Sequence, residues 1–192
     1  AECAWSSKET DREFFDQRFP TVWLGAPPAK DNAAEVDRAF WFAWRGEEKA
    51  PFWQHLFEVS RLFFGPYDGF ADKLDDGARA ELARQAEVLD GLCGDALGAI
   101  GRLRRAATRN PETLGALQHA VRVHWYVARK CYVMCELANR YRAAYAQQPR
   151  EAAKLRGILE TALGSLSKLA GELPVLEAGL RDGIYHRGGD PG

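Results

Sequence analysis

Residues 111–135 read PETLGALQHAVRVHWYVARKCYVMC, and this stretch decides the fold. At 100° per residue its apolar side chains fall within an arc of about 120°, which predicts an amphipathic helix with one buried face. Asn110 and Pro111 favour a helix start, and Pro149 breaks the helix after about Gln147. The predicted buried positions are Leu114, Leu117, Val121, His124, Trp125, Ala128, Cys131, Tyr132 and Cys135.

Two more long helices are predicted, one on either side of this stretch. The first runs from a cap at Asp75 or Asp76 to about Ala107, and the second is kinked or ended by Pro174. Short connections force such helices to lie antiparallel. The sequence therefore predicts an all-α fold, in which three long antiparallel helices form a bundle over residues 71–192 around one continuous core. The two further stripes are Leu82, Leu89, Leu92, Cys93, Ala96, Ile100 and Leu103, then Leu155, Ile158, Leu159, Ala162, Leu166, Leu169 and Leu173.

Residues 1–70 form a separate, aromatic-rich segment of shorter helices, which holds five of the six tryptophans. The first predicted helix stops at Pro20. The second starts at Asp31, as its cap, and ends at Gly46. The breaker-rich stretch Gly65–Gly69 is the predicted linker between the two domains.

The sequence FWFAW at residues 40–44 places aromatic side chains all around one helix. A helix that is apolar on every side is buried on several sides. We therefore expect Trp41, Phe42, Trp44 and Trp53 to form a partly exposed patch. An interface with another domain or chain is the favoured interpretation, and a surface that stacks on sugar rings is the alternative.

Composition narrows the class of protein. The 192 residues are 46% hydrophobic and 28% charged, which is ordinary for a folded soluble protein, and the net charge of −1 does not favour nucleic acid or anionic lipid. No apolar run is long enough for a membrane span. Four cysteines at this length do not indicate a disulfide framework. The chain begins with Ala1, so we expect its natural amino terminus to lie upstream, and the compartment stays open.

His124, Cys131 and Cys135 share a helix face, which raises the question of a metal site. A rise of ~1.5 Å per residue separates His124 from Cys131 by about 10 Å along the axis. One zinc ion needs its ligands within ~2.3 Å, so we expect buried free thiols instead.

Two further groups have a chemical and a structural interpretation. Gly91, Gly94, Gly98 and Gly101 line one side of a helix, either for close approach of another backbone or on a polar face that tolerates glycine. A basic cluster at the end of that helix is expected to be a solvated end that complements the helix dipole; its members are Arg102, Arg104, Arg105 and Arg109. No acid–base pair stands out. The sequence therefore assigns no catalytic, cofactor-binding or metal-binding residue.

The opening residues resemble a known family. Ala1-Glu2-Cys3-Ala4-Trp5-Ser6, followed by DREFFDQRF at residues 11–19, resembles the end of the catalytic barrel in glycoside hydrolase family 20, the β-N-acetylhexosaminidases. Members often close the barrel with Ala-Glu-x-x-Trp-Ser/Thr and a helix of the type x-x-Phe-x-x-Arg-Phe/Leu. The resemblance covers about the first 20 residues.

This resemblance implies that the chain is the non-catalytic carboxy-terminal helical region of a glycosidase that hydrolyses terminal β-linked N-acetylhexosamine. The catalytic barrel, its Asp-Glu pair and its sugar-binding tryptophans would lie upstream of Ala1. That barrel would be the partner of residues 1–70, with carbohydrate as the other implied ligand. The residues also leave open a different class of function, a self-contained helical module for protein–protein interaction.

Overall fold

The structure is a computed structural model of the chain, and it describes residues 12–29, 31–41, 74–146 and 152–184. Every regular element within these residues is an α-helix. The helices are α1 (Arg12–Val22), α2 (Asn32–Phe40), α3 (Asp76–Ala106), α4 (Pro111–Ala146) and α5 (Ala152–Ile184). The predicted all-α class and the three long helices are confirmed.

Helices α3 and α4 pair as a long hairpin whose facing stripes form the core. Asp75 caps α3, because its carboxylate accepts a hydrogen bond from the Ala78 amide at 2.7 Å. Most members of the two predicted stripes are buried. Leu92, Leu117, His124 and Trp125 are half-buried, and Tyr132 is 36% exposed. The fully buried members are Leu89, Cys93, Ala96, Ile100, Leu103, Leu114, Val121, Ala128 and Cys135.

Helices α1 and α2 cover one side of this hairpin. Leu24, Val36 and Ala39 are fully buried in the same core as the residues of α3 and α4. The rings of Phe15, Phe19 and Phe40 pack beside them, with centroids 4.7–5.7 Å apart. Part of the segment 12–41 is therefore buried against α3 and α4 within the described residues. The expected linker at residues 65–69 lies outside the described residues.

A predicted helix end at proline differs from the structure in two places, at Pro20 and, for one of the two alternatives given there, at Pro174. Helix α1 continues through Pro20 to Val22, and the Phe19 carbonyl accepts from the Trp23 amide at 3.0 Å to close the last turn. Helix α5 likewise continues through Pro174. A proline removes one backbone hydrogen bond, and the remaining bonds and contacts of each helix offset that loss. The predicted end at Gly46 falls outside the described residues.

Asp31 takes the predicted cap position of α2 but makes no side-chain cap. Its backbone is already helical, with φ −88° and ψ −8°, whereas a capping residue normally has an extended backbone. Its carbonyl accepts from the Glu35 amide at 3.0 Å.

Residues 23–26 and 107–110 interlock, and we call this contact the loop clasp. The Leu24 carbonyl accepts from the amides of Thr108 at 2.9 Å and Arg109 at 3.0 Å. The Thr108 hydroxyl donates to the Gly25 carbonyl, and the Asn110 side-chain amide donates to the Trp23 carbonyl, both at 2.9 Å. The clasp fixes the α1–α2 connection onto the turn between α3 and α4.

Helix α5 packs on α4 with only part of its apolar surface. Its half-buried positions recur every three or four residues: Ile158, Ala162, Ser165, Leu169, Glu172, Leu176 and Gly179. The expectation that the third stripe joins one continuous core is wrong for several of its members, since Leu155, Leu159, Leu166 and Leu173 are 39–62% exposed. The apolar arc from Ile158 to Leu163 spans about 140°, which is wider than one neighbouring helix covers.

Candidate interaction surface

A row of exposed apolar side chains runs along α5, beside its contact with α4. Five leucines of this row are 43–62% exposed. Four of them, Leu159, Leu166, Leu173 and Leu180, are spaced seven residues apart. We call the row the leucine stripe, and its members are Leu159, Leu163, Leu166, Ala170, Leu173 and Leu180.

The leucine stripe is a second helical seam, next to the one that α4 covers. Its members follow the half-buried positions one residue later, with the same alternation of four and three. This alternation keeps side chains on one face of a helix and is the spacing of the a and d positions of a coiled coil. Helix α5 therefore carries two adjacent heptad seams, one covered by α4 and one open to solvent.

The sequence carries a signal for the second seam, a seven-residue repeat within α5. Residues 157–163, 164–170 and 171–177 read GILETAL, GSLSKLA and GELPVLE. Each begins with glycine and has leucine at its third position, and Leu180 continues the leucine series. The sequence analysis placed Leu159, Leu166 and Leu173 on the buried face, because periodicity alone does not show which part of a wide apolar arc meets a neighbour.

A groove of about 440 Å³ lies where α3, α4 and α5 meet. Asp90 accepts hydrogen bonds from the Trp125 indole and, at 2.9 Å, from Arg129. The Arg129 guanidinium also reaches Glu172 at 3.4 Å and lies 3.8 Å from the centre of the Trp125 ring. Asp90 and Glu172 share the one guanidinium of Arg129, and this ion-pair network ties α5 to the hairpin.

The residues that were considered as metal ligands, His124, Cys131 and Cys135, lie on the inner face of the α3–α4 hairpin. Cys93, Cys131 and Cys135 are buried free thiols, as expected. Burial raises the pKa of Cys93 and Cys131 to about 12 and that of Cys135 to about 11, so these thiols stay protonated and unreactive. His124 Nδ1 lies 2.6 Å from the Ala120 carbonyl oxygen. Within the part of the chain that the structure describes, no three His, Cys, Asp or Glu side chains are grouped as metal ligands.

Among the described residues, the glycine row of α3 faces no other backbone. A Cβ atom added at Gly91 or Gly94 would meet nothing within 4 Å, and one added at Gly98 or Gly101 would meet only arginine side chains of the same helix. The close-approach interpretation is therefore wrong, and the alternative of a polar face that tolerates glycine is confirmed.

One residue of the basic cluster pairs with a carboxylate of α2, and Arg104 donates to Gln118 of α4 at 3.4 Å. Arg102 donates to both carboxylate oxygens of Glu35, each at 2.8 Å, and the Glu35 side chain is only 11% exposed. This bidentate pair fastens α2 to α3, a role that the solvated-end prediction did not include. Arg104, Arg105 and Arg109 are exposed, as predicted.

Of the four residues expected to form the aromatic patch, the structure describes only Trp41. Trp41 is half-buried, and its indole donates to Asp16 at 2.8 Å. Phe42, Trp44 and Trp53 lie outside the described residues, so the patch stays a prediction.

Comparison of the chain with protein-family models, with curated proteins and with solved structures finds no match. Among the described helices, none has both the length and the apolarity needed to cross a membrane.

Proposed function

We propose that this chain is a helical protein–protein interaction module that docks through the leucine stripe of α5. One observation carries the proposal: Leu159 and Leu163 are each 62% exposed, and three further leucines of the same face are 43–48% exposed. Large apolar side chains that are exposed singly are common, whereas a contiguous apolar patch marks an interaction surface. Covering one leucine side chain is worth about 1.5–3 kcal/mol when burial is complete, so a partner along the whole stripe would gain substantial binding energy.

Helix α5, which presents the leucine stripe, is held in place by contacts with α4. The Arg129–Glu172 ion pair joins its middle to α4. Near its carboxyl end, Gly179 packs against the ring of His119. A partner would therefore meet a preformed surface, which lowers the conformational entropy lost on binding.

Site-specific photo-crosslinking in cells that naturally produce the protein tests this proposal. A photoreactive residue at position 166 lies within the stripe, and the same residue at position 94 lies on the glycine face of α3, where nothing approaches within 4 Å. We expect a crosslinked protein product from position 166 that is absent from position 94. Equal results from the two positions would refute the interaction module.

We propose, as a second candidate, the carboxy-terminal helical region of a β-N-acetylhexosaminidase-like glycosidase. Its support is the short motif at residues 1–6 with the helix-forming sequence at residues 11–19. Reading the coding sequence upstream of Ala1 tests it, since the candidate requires a barrel with an Asp-Glu pair there.

An activity assay completes the test of this second candidate. The full-length product should hydrolyse an aryl β-N-acetylglucosaminide, and the isolated chain should stay at background, because proton transfer in such catalysis requires a positioned acid. An upstream sequence without a barrel would reject the candidate. Turnover by the isolated chain, lost when one of its own carboxylates is replaced, would contradict a non-catalytic role.

A further inference from the structure

We propose that the occupant of the leucine stripe is a second copy of this chain, with the two α5 helices antiparallel. The inference rests on the proposed function and names the partner of the same surface. It draws on two features of α5, the heptad spacing of the stripe and the distribution of charge along it.

The heptad spacing makes the stripe complementary to itself. From Leu159 to Leu180 it covers three heptads, or about 32 Å of helix at ~1.5 Å per residue. Six of the seven a and d positions over that length are apolar, and the seventh is Glu177. Such a series favours pairing with another helix of the same period. Pro174 does not break the heptad series, because α5 continues through it and Leu173 and Leu180 stay in register.

The charges at the two ends of the stripe select the antiparallel orientation. Arg156 and Glu177 occupy the same heptad position as Leu163 and Ala170, one at each end of the series. A parallel pair would place Arg156 against Arg156 and Glu177 against Glu177, which is repulsive. An antiparallel pair in which Leu166 lies opposite Ala170 places Arg156 opposite Leu180 of the second copy, about 4.5 Å along the axis from that copy's Glu177 at ~1.5 Å per residue.

Both charged side chains are available for this contact. Arg156 is exposed. Glu177 accepts from Arg181 of its own helix at 2.8 Å, and the two side chains are each 69% exposed, so a carboxylate oxygen stays open to a second cation.

In this antiparallel register, the side chains that face one another across the interface also match in size. When the two-fold axis crosses α5 near residue 168, Leu166 lies opposite Ala170 of the second copy, so a large side chain meets a small one. Leu163 then lies opposite Leu173 of the second copy. Alternation of large and small side chains lets two helices interdigitate.

Sedimentation equilibrium of the full chain measures the predicted dimer. Leu166→Asp should raise the dissociation constant at least about 100-fold, because two carboxylates would be buried at the centre of the interface. Ala178→Asp is the matched control, since Ala178 is exposed on α5 away from the stripe, and it should leave the constant unchanged. Position 166 is solvent-exposed within one chain, so the helical circular dichroism of both variants should equal that of the parent.

Charge exchange tests the orientation. Glu177→Arg should weaken the dimer about fivefold by placing two cations together, and the double variant with Arg156→Glu should restore it. In a parallel dimer the double variant would still place like charges together and would restore nothing. Failure of the double variant to recover affinity would therefore overturn the antiparallel arrangement.

The outcomes separate this inference from the proposed function. A parent chain that stays monomeric at the highest concentration it tolerates overturns the dimer. If position 166 then crosslinks to a different protein, the interaction module stands and only the identity of its partner is wrong. If position 166 behaves like position 94 in cells and the chain is monomeric, both proposals fail.

Discussion

At the residue scale, the loop clasp depends on the one glycine in it. Gly25 has φ +62°, in the left-handed region, and a Cβ atom there would lie 2.5 Å from the Thr108 hydroxyl oxygen. Glycine therefore satisfies both a backbone conformation and a close approach that an L side chain does not tolerate.

Gly25→Ala should lower the free energy of unfolding by about 1–3 kcal/mol, the typical cost of a non-glycine residue held in that conformation. Urea denaturation measures the change. Gly94→Ala is the control, because Gly94 is an exposed glycine inside a helix with nothing near it, and it should stabilise the protein by about 0.5–1 kcal/mol. Equal effects of the two variants would contradict the clasp geometry.

His124 should make stability depend on pH. Burial lowers its pKa below the ordinary value of 6.5, against a smaller opposing effect of the Ala120 carbonyl. The folded state therefore holds the neutral ring, whereas the unfolded chain takes up a proton as pH falls through about 6.5. This contribution to stability is present above that pH and is lost as pH falls towards the lowered folded-state value.

Denaturation curves between about pH 7 and pH 5 check this sign. As pH is lowered, the free energy of unfolding of the parent should decrease, and that of His124→Gln should decrease less steeply. Parallel pH dependences for the two proteins would show that His124 does not titrate differently in the folded and unfolded states.

Sequence reasoning found the residues whose partners are nearby and missed those whose partners are distant. The Asp75 cap and the buried thiols follow from local spacing and helical periodicity. The Arg102–Glu35 pair joins residues 67 positions apart, and the contact between Thr108 and Gly25 spans 83 positions. Nothing in a local pattern indicates that such residues meet.

At the scale of elements, the carboxyl end of α5 is held by a close contact with α4. A Cβ atom at Gly179 would lie 2.6 Å from His119 Nδ1, which belongs to a ring and is buried. Gly179 thus permits the approach of α5 to α4 at this point.

Gly179→Ala should destabilise the protein by about 1–3 kcal/mol, because the His119 ring must move out of its packed position. Gly171→Ala lies in the same helix, with nothing within 4 Å of the added carbon, and should be stabilising by the difference in helix propensity. Thermal melts of both variants give the comparison. Stabilisation by both substitutions would contradict the close contact.

The lengths of the elements were easier to predict than their orientation. The period of 3.6 residues identified α3, α4 and α5 because each is long and strongly patterned. It did not identify which edge of the α5 arc meets α4, since that depends on how many neighbours the fold provides. For the same reason the open seam, which is the candidate functional surface, was not predicted.

At the scale of the whole molecule, one core joins four of the five described helices. Val121 is fully buried and belongs to one cluster with residues of α2, α3 and α4. Val121→Asp should cost about 3 kcal/mol or more, because it buries an unpaired charge.

Ala116→Asp is the matched control for this substitution. Ala116 is exposed in the second turn of α4, so a carboxylate there stays in water and the free energy of unfolding should change little. Chemical denaturation of the two variants checks the difference. If Val121→Asp unfolded like Ala116→Asp, the core assignment would be wrong.

The one-sided attachment of α5 has a consequence for how the native state opens. Helix α3 contributes ten buried residues, whereas none of residues 153–181 of α5, for which burial is described, is buried. Regions with few buried contacts open locally at lower free energy than the core. Amide deuterium uptake should therefore be faster in α5 than in α3. When two copies pair through the leucine stripe, uptake in α5 should slow as protein concentration rises, while uptake in α3 stays the same.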